Sequence, residues 1–170
     1  MSEEKKKIIL VVEDEPDIRL FLKTVLEDAG FEVITADNGK HALDKIKYCK
    51  PDLISLDLVM PKMRGVTLLK FLQKNPEWAK IPFIVVTAHA HDTLGEKDFV
   101  KLKAEKVLVS PHSFIEKPIV PSEYIKIVRQ RLGIEYGVTS DTEELKSQIK
   151  EKIVTAKKEK LVETLKVLSE

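Results

Sequence analysis

The chain has 170 residues, and its 29 Lys and Arg are balanced by 28 Asp and Glu to a formal net charge of +1. With 43% hydrophobic residues, this balance excludes a disordered chain and a strongly basic nucleic-acid binder. The apolar runs are far shorter than the roughly 18 residues of a membrane span, and the start MSEEKKK lacks the apolar core of a signal peptide. A single cysteine, Cys49, cannot form an internal disulfide. We therefore expect a cytoplasmic protein with one ordinary domain and a short remainder.

Strand and helix patterns alternate over the first 132 residues. Continuous apolar runs, typical of strands buried on both faces, predict five strands over 8–12, 31–36, 53–56, 82–86 and 114–116. Apolar positions at helical spacing, helix-capping residues and one polar stretch predict helices over 16–29, 40–50, 66–74, 96–106 and 121–132. Five strands alternating with five helices favour an open parallel α/β sheet that is covered on both faces.

Chemistry in such sheets collects at the carboxyl ends of the strands. The residues that follow these ends include Glu13, Asp14, Asp57, Thr87 and Lys117. One such acid alone is more typical of a loop or a helix cap, but converging carboxylates repel one another unless a cation lies between them, and oxygen ligands suit Mg²⁺. A threonine donor and a lysine charge complete a cradle for a dianionic group. The set predicts a phosphoryl group attached to, or attacked by, the central carboxylate Asp57.

Four segments in this order resemble the receiver domains of bacterial and archaeal two-component response regulators, of which the chemotaxis regulator is the minimal example. They are VVEDEPDIR, DLISLDLVMPKMRG, FIVVTA and SFIEKP. The resemblance covers about residues 6–132 and implies the flavodoxin-like strand order 2-1-3-4-5. It also implies that Asp57 accepts a phosphoryl group from a histidine kinase or a phosphotransfer protein. Such a protein is a phosphoacceptor that signals to a downstream protein, and not an enzyme beyond its own phosphotransfer and autodephosphorylation.

The resemblance also implies the role of each site residue. Mg²⁺ or Mn²⁺ would bind the side chains of two acids after the first strand, the side chain of the phosphoacceptor, and the backbone of the following loop: Glu13, Asp14, Asp57 and Met60. Thr87 would hydrogen-bond one phosphoryl oxygen and shift when the group arrives. Lys117 would pair with another phosphoryl oxygen.

Some positions depart from the family pattern or modulate it. Phe114 occupies the position of the switch aromatic but lacks the hydroxyl that many members carry as Tyr. Pro118 would follow a cis peptide bond. Val59 and His89 lie where receivers set the lifetime of the phosphoryl group, and the apolar Val59 predicts slow autodephosphorylation. The segment from Thr87 to Lys117 is about two helical turns longer than usual, which predicts a reshaped partner face.

Residues 133–170 are predicted to form a linker and a helical extension. Acids and lysines are equally frequent from Asp141 onward, which favours a solvated face over a nucleic-acid patch. The apolar residues fall on two helix faces displaced by roughly 130°, so the tail is either two short helices or one helix with two partners. We expect it to pack on the receiver or on a second copy. A homodimer could form through this tail. It could also form through the face made by the fourth predicted helix, over 96–106, and the fifth strand.

Other function classes fit less well. The chain can be a fragment of a larger response regulator, with the tail leading to an effector domain beyond Glu170. A haloacid-dehalogenase-like phosphatase would need a second Asp where this chain has Val59. A flavin-binding protein would need a hydroxyl-rich loop in place of EDEPD. A tail of 38 residues is too short for a helix-turn-helix domain, so direct DNA binding is not expected. The short apolar runs make a membrane span equally unexpected.

Overall fold

The computed structural model describes residues 5–88, 97, 100, 101, 104 and 114–134. The chain divides into two units, Met1–Glu135 and Tyr136–Glu170, and every described residue belongs to the first unit. The helical tail predicted over 133–170 lies outside the described residues apart from Gly133 and Ile134. The domain boundary at residue 132 stays a prediction.

Five parallel strands form one sheet in the order β2-β1-β3-β4-β5. Their bounds are β1 (Ile8–Val12), β2 (Glu32–Ala36), β3 (Leu53–Leu56), β4 (Phe83–Thr87) and β5 (Phe114–Glu116). The predicted strand order is confirmed, and each predicted strand agrees with the structure to within one residue at either end. Side chains of β1 and β3 are almost entirely buried, because helices cover both faces of the sheet.

The structure describes four helices from their first to their last residue: α1 (Pro16–Asp28), α2 (Gly39–Cys49), α3 (Gly65–Lys74) and α4 (Pro121–Arg131). A short 3-10 turn over Trp78–Lys80 leads into β4. Proline opens α1 and α4, where its missing N–H has no helical partner to lose. Asn38 caps α2, since its Oδ1 accepts the His41 N–H at 3.0 Å. Of the helix predicted over 96–106, four residues are described and all four are helical: Lys97, Val100, Lys101 and Ala104.

The sheet separates two apolar clusters. One packs beneath α2 and α3 and includes Val12, Leu56 and Val85, while the other packs beneath α1 and α4 and includes Val11, Ile84 and Val86. The second cluster also contains a polar pair, in which the buried Tyr124 hydroxyl donates to Ser55 Oγ at 2.7 Å. Each hydroxyl has a partner, so a serine can occupy a core position of β3 without an unsatisfied polar atom.

Helix α3 begins directly against the end of β3. A Cβ atom at Gly65 would overlap the carbonyl oxygen of Asp57 and would lie 2.8 Å from the Leu58 Cα. The Gly65 N–H donates to the Leu58 carbonyl at 3.0 Å, which closes the loop between β3 and α3 onto the strand end. Only glycine permits this approach, so the residue helps to set the position of the Asp57 backbone.

We predict that Gly65→Ala lowers the free energy of unfolding by about 2 kcal/mol, because the added methyl group forces α3 away from the backbone of β3. Urea unfolding followed by circular dichroism measures this loss. Thr67→Ala is the matched control, because it changes an exposed residue of the same helix. Equal stabilities of the two variants would contradict the steric argument.

Candidate functional site

The ends of β1 and β3 place Glu13 and Asp57 side by side. Val12 and Leu56 are partners in the parallel register of the two strands. The Asp57 N–H donates to the Val12 carbonyl at 3.0 Å, and the Glu13 N–H donates to the Ala36 carbonyl of β2 at 3.0 Å. Backbone hydrogen bonding therefore continues one residue past the strands, and both acids are held by the sheet itself.

Three carboxylates and one ammonium group converge at this edge. One oxygen from each of Glu13, Asp14 and Asp57 lies within 4.8 Å of the others. Glu13 is 1% exposed and Asp57 is 4% exposed, whereas Asp14 is partly exposed. Lys117 Nζ lies 2.9 Å from Glu13 Oε2 and 3.2 Å from Asp57 Oδ2. The structure thus brings together four of the five strand-end residues that the sequence singles out.

Burial makes the negative charge of this cluster costly. It raises the pKa of Glu13 to about 7, and the Asp57 carboxylate adds to the rise while Lys117 opposes it. Burial alone would favour the neutral amine of Lys117, but the two neighbouring carboxylates outweigh it and hold the Lys117 pKa above its ordinary value. Among the described residues, one lysine charge thus faces an excess of carboxylates at this edge.

The donor set fits a divalent cation. Within the described part of the chain, the buried Glu13 Oε2 makes no hydrogen bond of good geometry, although Lys117 is close to it. Asp57 Oδ1 accepts the Val59 N–H at 3.1 Å and keeps a further lone pair. Hard carboxylate oxygens with an excess of negative charge are the ligands that Mg²⁺ and Mn²⁺ prefer.

Other predicted site residues lie close to this cluster along the chain. Met60 is buried at 5% exposure in the loop after β3, and its carbonyl stays a predicted metal ligand. Val59 contacts Asp57 through its backbone N–H, a role that the sequence does not reveal. Phe114 is the first residue of β5, where it is paired with Val85 in register and is half-buried.

The remaining predictions fall at the edge of the described residues. Thr87 ends β4 and is paired in register with Glu116, but its side chain lies outside the described residues. His89 also lies outside them. The peptide bond between Lys117 and Pro118 is cis, as the resemblance implies.

One contributor to the site was missed at the sequence level. Arg19 lies in the first turn of α1, and its Nη1 donates to the carbonyl of Glu13 at 2.8 Å and to that of Asp14 at 3.1 Å. Helical side chains tilt toward the helix N-terminus, so an arginine at this position can reach back over the preceding loop. The position of Arg19 in the first helical turn after the acidic pair, combined with that tilt, is the signal that could have identified its role.

Comparison with known proteins agrees with this geometry. The family model of the response regulator receiver domain matches residues 9–129. The chain belongs to this family. The chemotaxis protein CheY of Thermotoga maritima is 34% identical over 125 residues, which cover 73% of this chain and 96% of that protein. The chain therefore contains a receiver domain of two-component signal transduction.

Solved structures share the receiver fold. The chemotaxis protein CheY4 of Vibrio cholerae is 28% identical with a TM-score of 0.63, covering 75% of this chain and 99% of that chain. A receiver domain from a sensor histidine kinase of Pseudomonas aeruginosa, with a magnesium ion coordinated in its active-site cleft, is 20% identical with a TM-score of 0.64. It covers 76% of this chain and 99% of that chain, and at this identity the likeness shows the fold alone.

None of the helices in the described part of the receiver has the length and apolarity to cross a membrane.

We predict that the metal-free protein loses stability as the pH rises from 5 to 8. The folded Glu13 pKa of about 7 lies above the ordinary value of 4.5, so the folded state binds this proton more tightly than the unfolded state. Ionisation between these two values therefore opposes folding, by an amount on the order of 2 kcal/mol. Glu13→Gln removes the titrating group and should flatten the profile. Urea unfolding in EDTA at several pH values measures it.

The control for this experiment is Glu27→Gln on the exposed side of α1, where Glu27 pairs with Lys23 at 3.7 Å. This variant should keep the wild-type dependence on pH, because the ion pair is exposed and screened by solvent. Equal slopes for wild type and Glu13→Gln would show that Glu13 does not cause the loss.

Proposed function

We propose that Asp57 accepts a phosphoryl group from a phosphohistidine on a histidine kinase or a phosphotransfer protein, in a reaction that requires Mg²⁺ or Mn²⁺. The observation that carries this proposal is the buried Asp57 carboxylate beside Lys117, within a three-carboxylate cluster that fits a divalent cation. Membership of the receiver family supports it. The output is contact with a downstream protein, and the setting is the cytoplasm.

Asp57 is the nucleophile in this proposal. Its Oδ1 accepts the Val59 N–H at 3.1 Å and its Oδ2 lies 3.2 Å from Lys117 Nζ, so two donors fix the carboxylate plane. A carboxylate oxygen forms a bond to phosphorus while the P–N bond of the phosphohistidine breaks, and the imidazole leaves with that electron pair. Such a transfer depends on positioning and charge neutralisation more than on acid or base chemistry.

The neighbouring residues hold the metal and the transferred group. Glu13, Asp14 and the Met60 carbonyl would complete the metal ligands with Asp57. The bound ion would supply positive charge that lets a phosphate approach the carboxylates. Lys117 is already ionised and would turn from Asp57 to a phosphoryl oxygen after transfer.

Four further residues would govern the phosphorylated state. Thr87 would donate to a second phosphoryl oxygen, and its movement would be coupled to the ring of Phe114. Val59 has an apolar side chain that cannot orient an attacking water, which favours a long-lived phosphoryl group. His89 would border the group on the side of β4.

We predict that Asp57→Asn abolishes labelling by acetyl phosphate in Mg²⁺, because the amide is a far weaker nucleophile than the carboxylate. Removal of the metal with EDTA should abolish labelling of the wild type. Intact-protein mass spectrometry measures the added phosphoryl group. Asp44→Asn is the matched control, since Asp44 is an exposed carboxylate on α2 that should not affect labelling. Labelling that persists on another residue of Asp57→Asn would refute the assignment.

We also propose residues 1–132 as the receiver and residues 133–170 as a linker and a helical extension, with the extension contacting a second copy. Leu132 and Ile134 pack against the cluster beneath α1 and α4, so the packing of the receiver extends at least to Ile134. A variant that ends after Glu135 keeps these contacts and removes the tail.

We predict that beryllofluoride with Mg²⁺, which mimics the phosphoryl group, increases the molar mass of the full chain in size-exclusion chromatography with light scattering. The chain that ends after Glu135 should stay monomeric, because it lacks the two apolar faces that the sequence predicts for the tail. Asp57→Asn in the full chain is the control that should not respond. The same response from both wild-type lengths would exclude the tail as the contact element.

A further inference from the structure

We propose that Arg19 is a positioning residue for the metal site. Its guanidinium holds the backbone of Glu13 and Asp14, the two acids that follow β1, and thereby aims their carboxylates at the bound cation. This inference rests on the metal-dependent function proposed above. It assigns the metal affinity of the site partly to a residue that carries no ligand atom.

The contacts of Arg19 are directed at the backbone of the acidic loop. A single nitrogen, Nη1, donates to the Glu13 carbonyl at 2.8 Å and to the Asp14 carbonyl at 3.1 Å. Hydrogen bonds from an ionised donor are stronger than those between neutral groups. Because both carbonyls accept from the same nitrogen, the two hydrogen bonds restrain the carbonyls relative to each other.

The loop needs this support because its other connections are uneven. The Glu13 N–H is held by the Ala36 carbonyl at 3.0 Å, so the start of the loop is tied to the sheet. The Glu15 N–H reaches Glu13 Oε1 only at 3.4 Å, and a metal would compete for that oxygen. Asp14 lies between these two points and is partly exposed, so its carbonyl is where the arginine adds the most order.

The anchor of Arg19 is itself rigid. Helix α1 opens with Pro16, and the Arg19 N–H donates to the Glu15 carbonyl at 2.9 Å. The helix packs on the sheet through the buried residues Leu22 and Leu26. A guanidinium that starts from this helix can therefore transmit the position of the core to the loop.

Position and charge predict opposite effects for removal of Arg19. A permanent positive charge near a cation site weakens metal binding through space, so its loss alone should tighten the binding of Mg²⁺. Loss of an outer partner that orients the ligands weakens metal binding, typically by tenfold or more. The sign of the change in affinity therefore separates the two roles.

The experiment measures Mg²⁺ binding to the full chain by isothermal titration calorimetry. The variants are Arg19→Met, which removes the donors, and Arg19→Lys, which keeps the charge and one flexible donor group. Lys23→Met is the matched control, because it removes an exposed charge one turn further along α1 without touching the loop. Urea unfolding in EDTA establishes that each variant is folded under the conditions of the titration.

We expect the Kd for Mg²⁺ to rise about tenfold in Arg19→Met and by a smaller factor in Arg19→Lys, with no rise in Lys23→Met. At saturating Mg²⁺ the labelling rate with acetyl phosphate should return to the wild-type value, because Asp57 and Lys117 are intact. A merely structural role would change the urea midpoint and leave the Kd unaltered.

An unchanged or lower Kd in Arg19→Met would overturn the proposal. If that variant does not fold, an unchanged Kd in Arg19→Lys overturns it, and a raised Kd supports it. A wild-type chain that binds no Mg²⁺ would overturn the proposed function together with this inference. A wild type that binds Mg²⁺ and is labelled, beside variants with the same Kd, would overturn the positioning role alone.

Discussion

Burial of negative charge at the ends of β1 and β3 is the constraint on which the rest of the structure depends. Glu13 and Asp57 are almost inaccessible to water, yet among the described residues Lys117 supplies the one positive charge in contact with both. Removing an ionised carboxylate from water is costly unless partners compensate for it. The raised pKa of Glu13, about 7, expresses that cost directly. The site is consequently poised to take up positive charge, and a divalent cation is the simplest source of it.

The fold makes such an unfavourable arrangement tolerable by holding it from several sides. Apolar clusters on both faces of the sheet fix the strands, so the acids at the strand ends cannot separate to relieve their repulsion. Backbone hydrogen bonds continue past the strands as far as Glu13 and Asp57. Gly65 lets α3 start against the Asp57 backbone, and Arg19 draws in the carbonyls of the acidic loop. Each device restricts motion at the same edge, which suits a reaction that depends on positioning.

The sequence predicts those parts of the molecule that depend on local pattern. Short apolar segments between turn residues locate the five described strands, and the rule that chemistry collects at strand ends identifies Glu13, Asp57 and Lys117. What escapes prediction depends on contacts between residues distant in the sequence, such as the hydroxyl pair of Ser55 and Tyr124. Helical periodicity also groups Phe21 with the buried positions of α1, although 41% of its surface is exposed. Periodicity specifies a direction around the helix axis but not how far the neighbouring elements extend over it.

The hydroxyl pair shows how the core and the site are connected. Ser55 lies on β3 two residues before Asp57, whose N–H continues the backbone hydrogen bonding of that strand by donating to the Val12 carbonyl at 3.0 Å. Tyr124 therefore anchors α4 to the strand that leads into Asp57. Burial is the main cause that raises the Tyr124 pKa, and the negative charge of Glu13 adds to the rise. Helix α4 begins only four residues after Lys117. The lysine is thus placed by two anchors, the pairing of β5 with β4 before it and the buried tyrosine after it. Its contact with both carboxylates therefore depends on the packing of α4 as well as on electrostatic attraction.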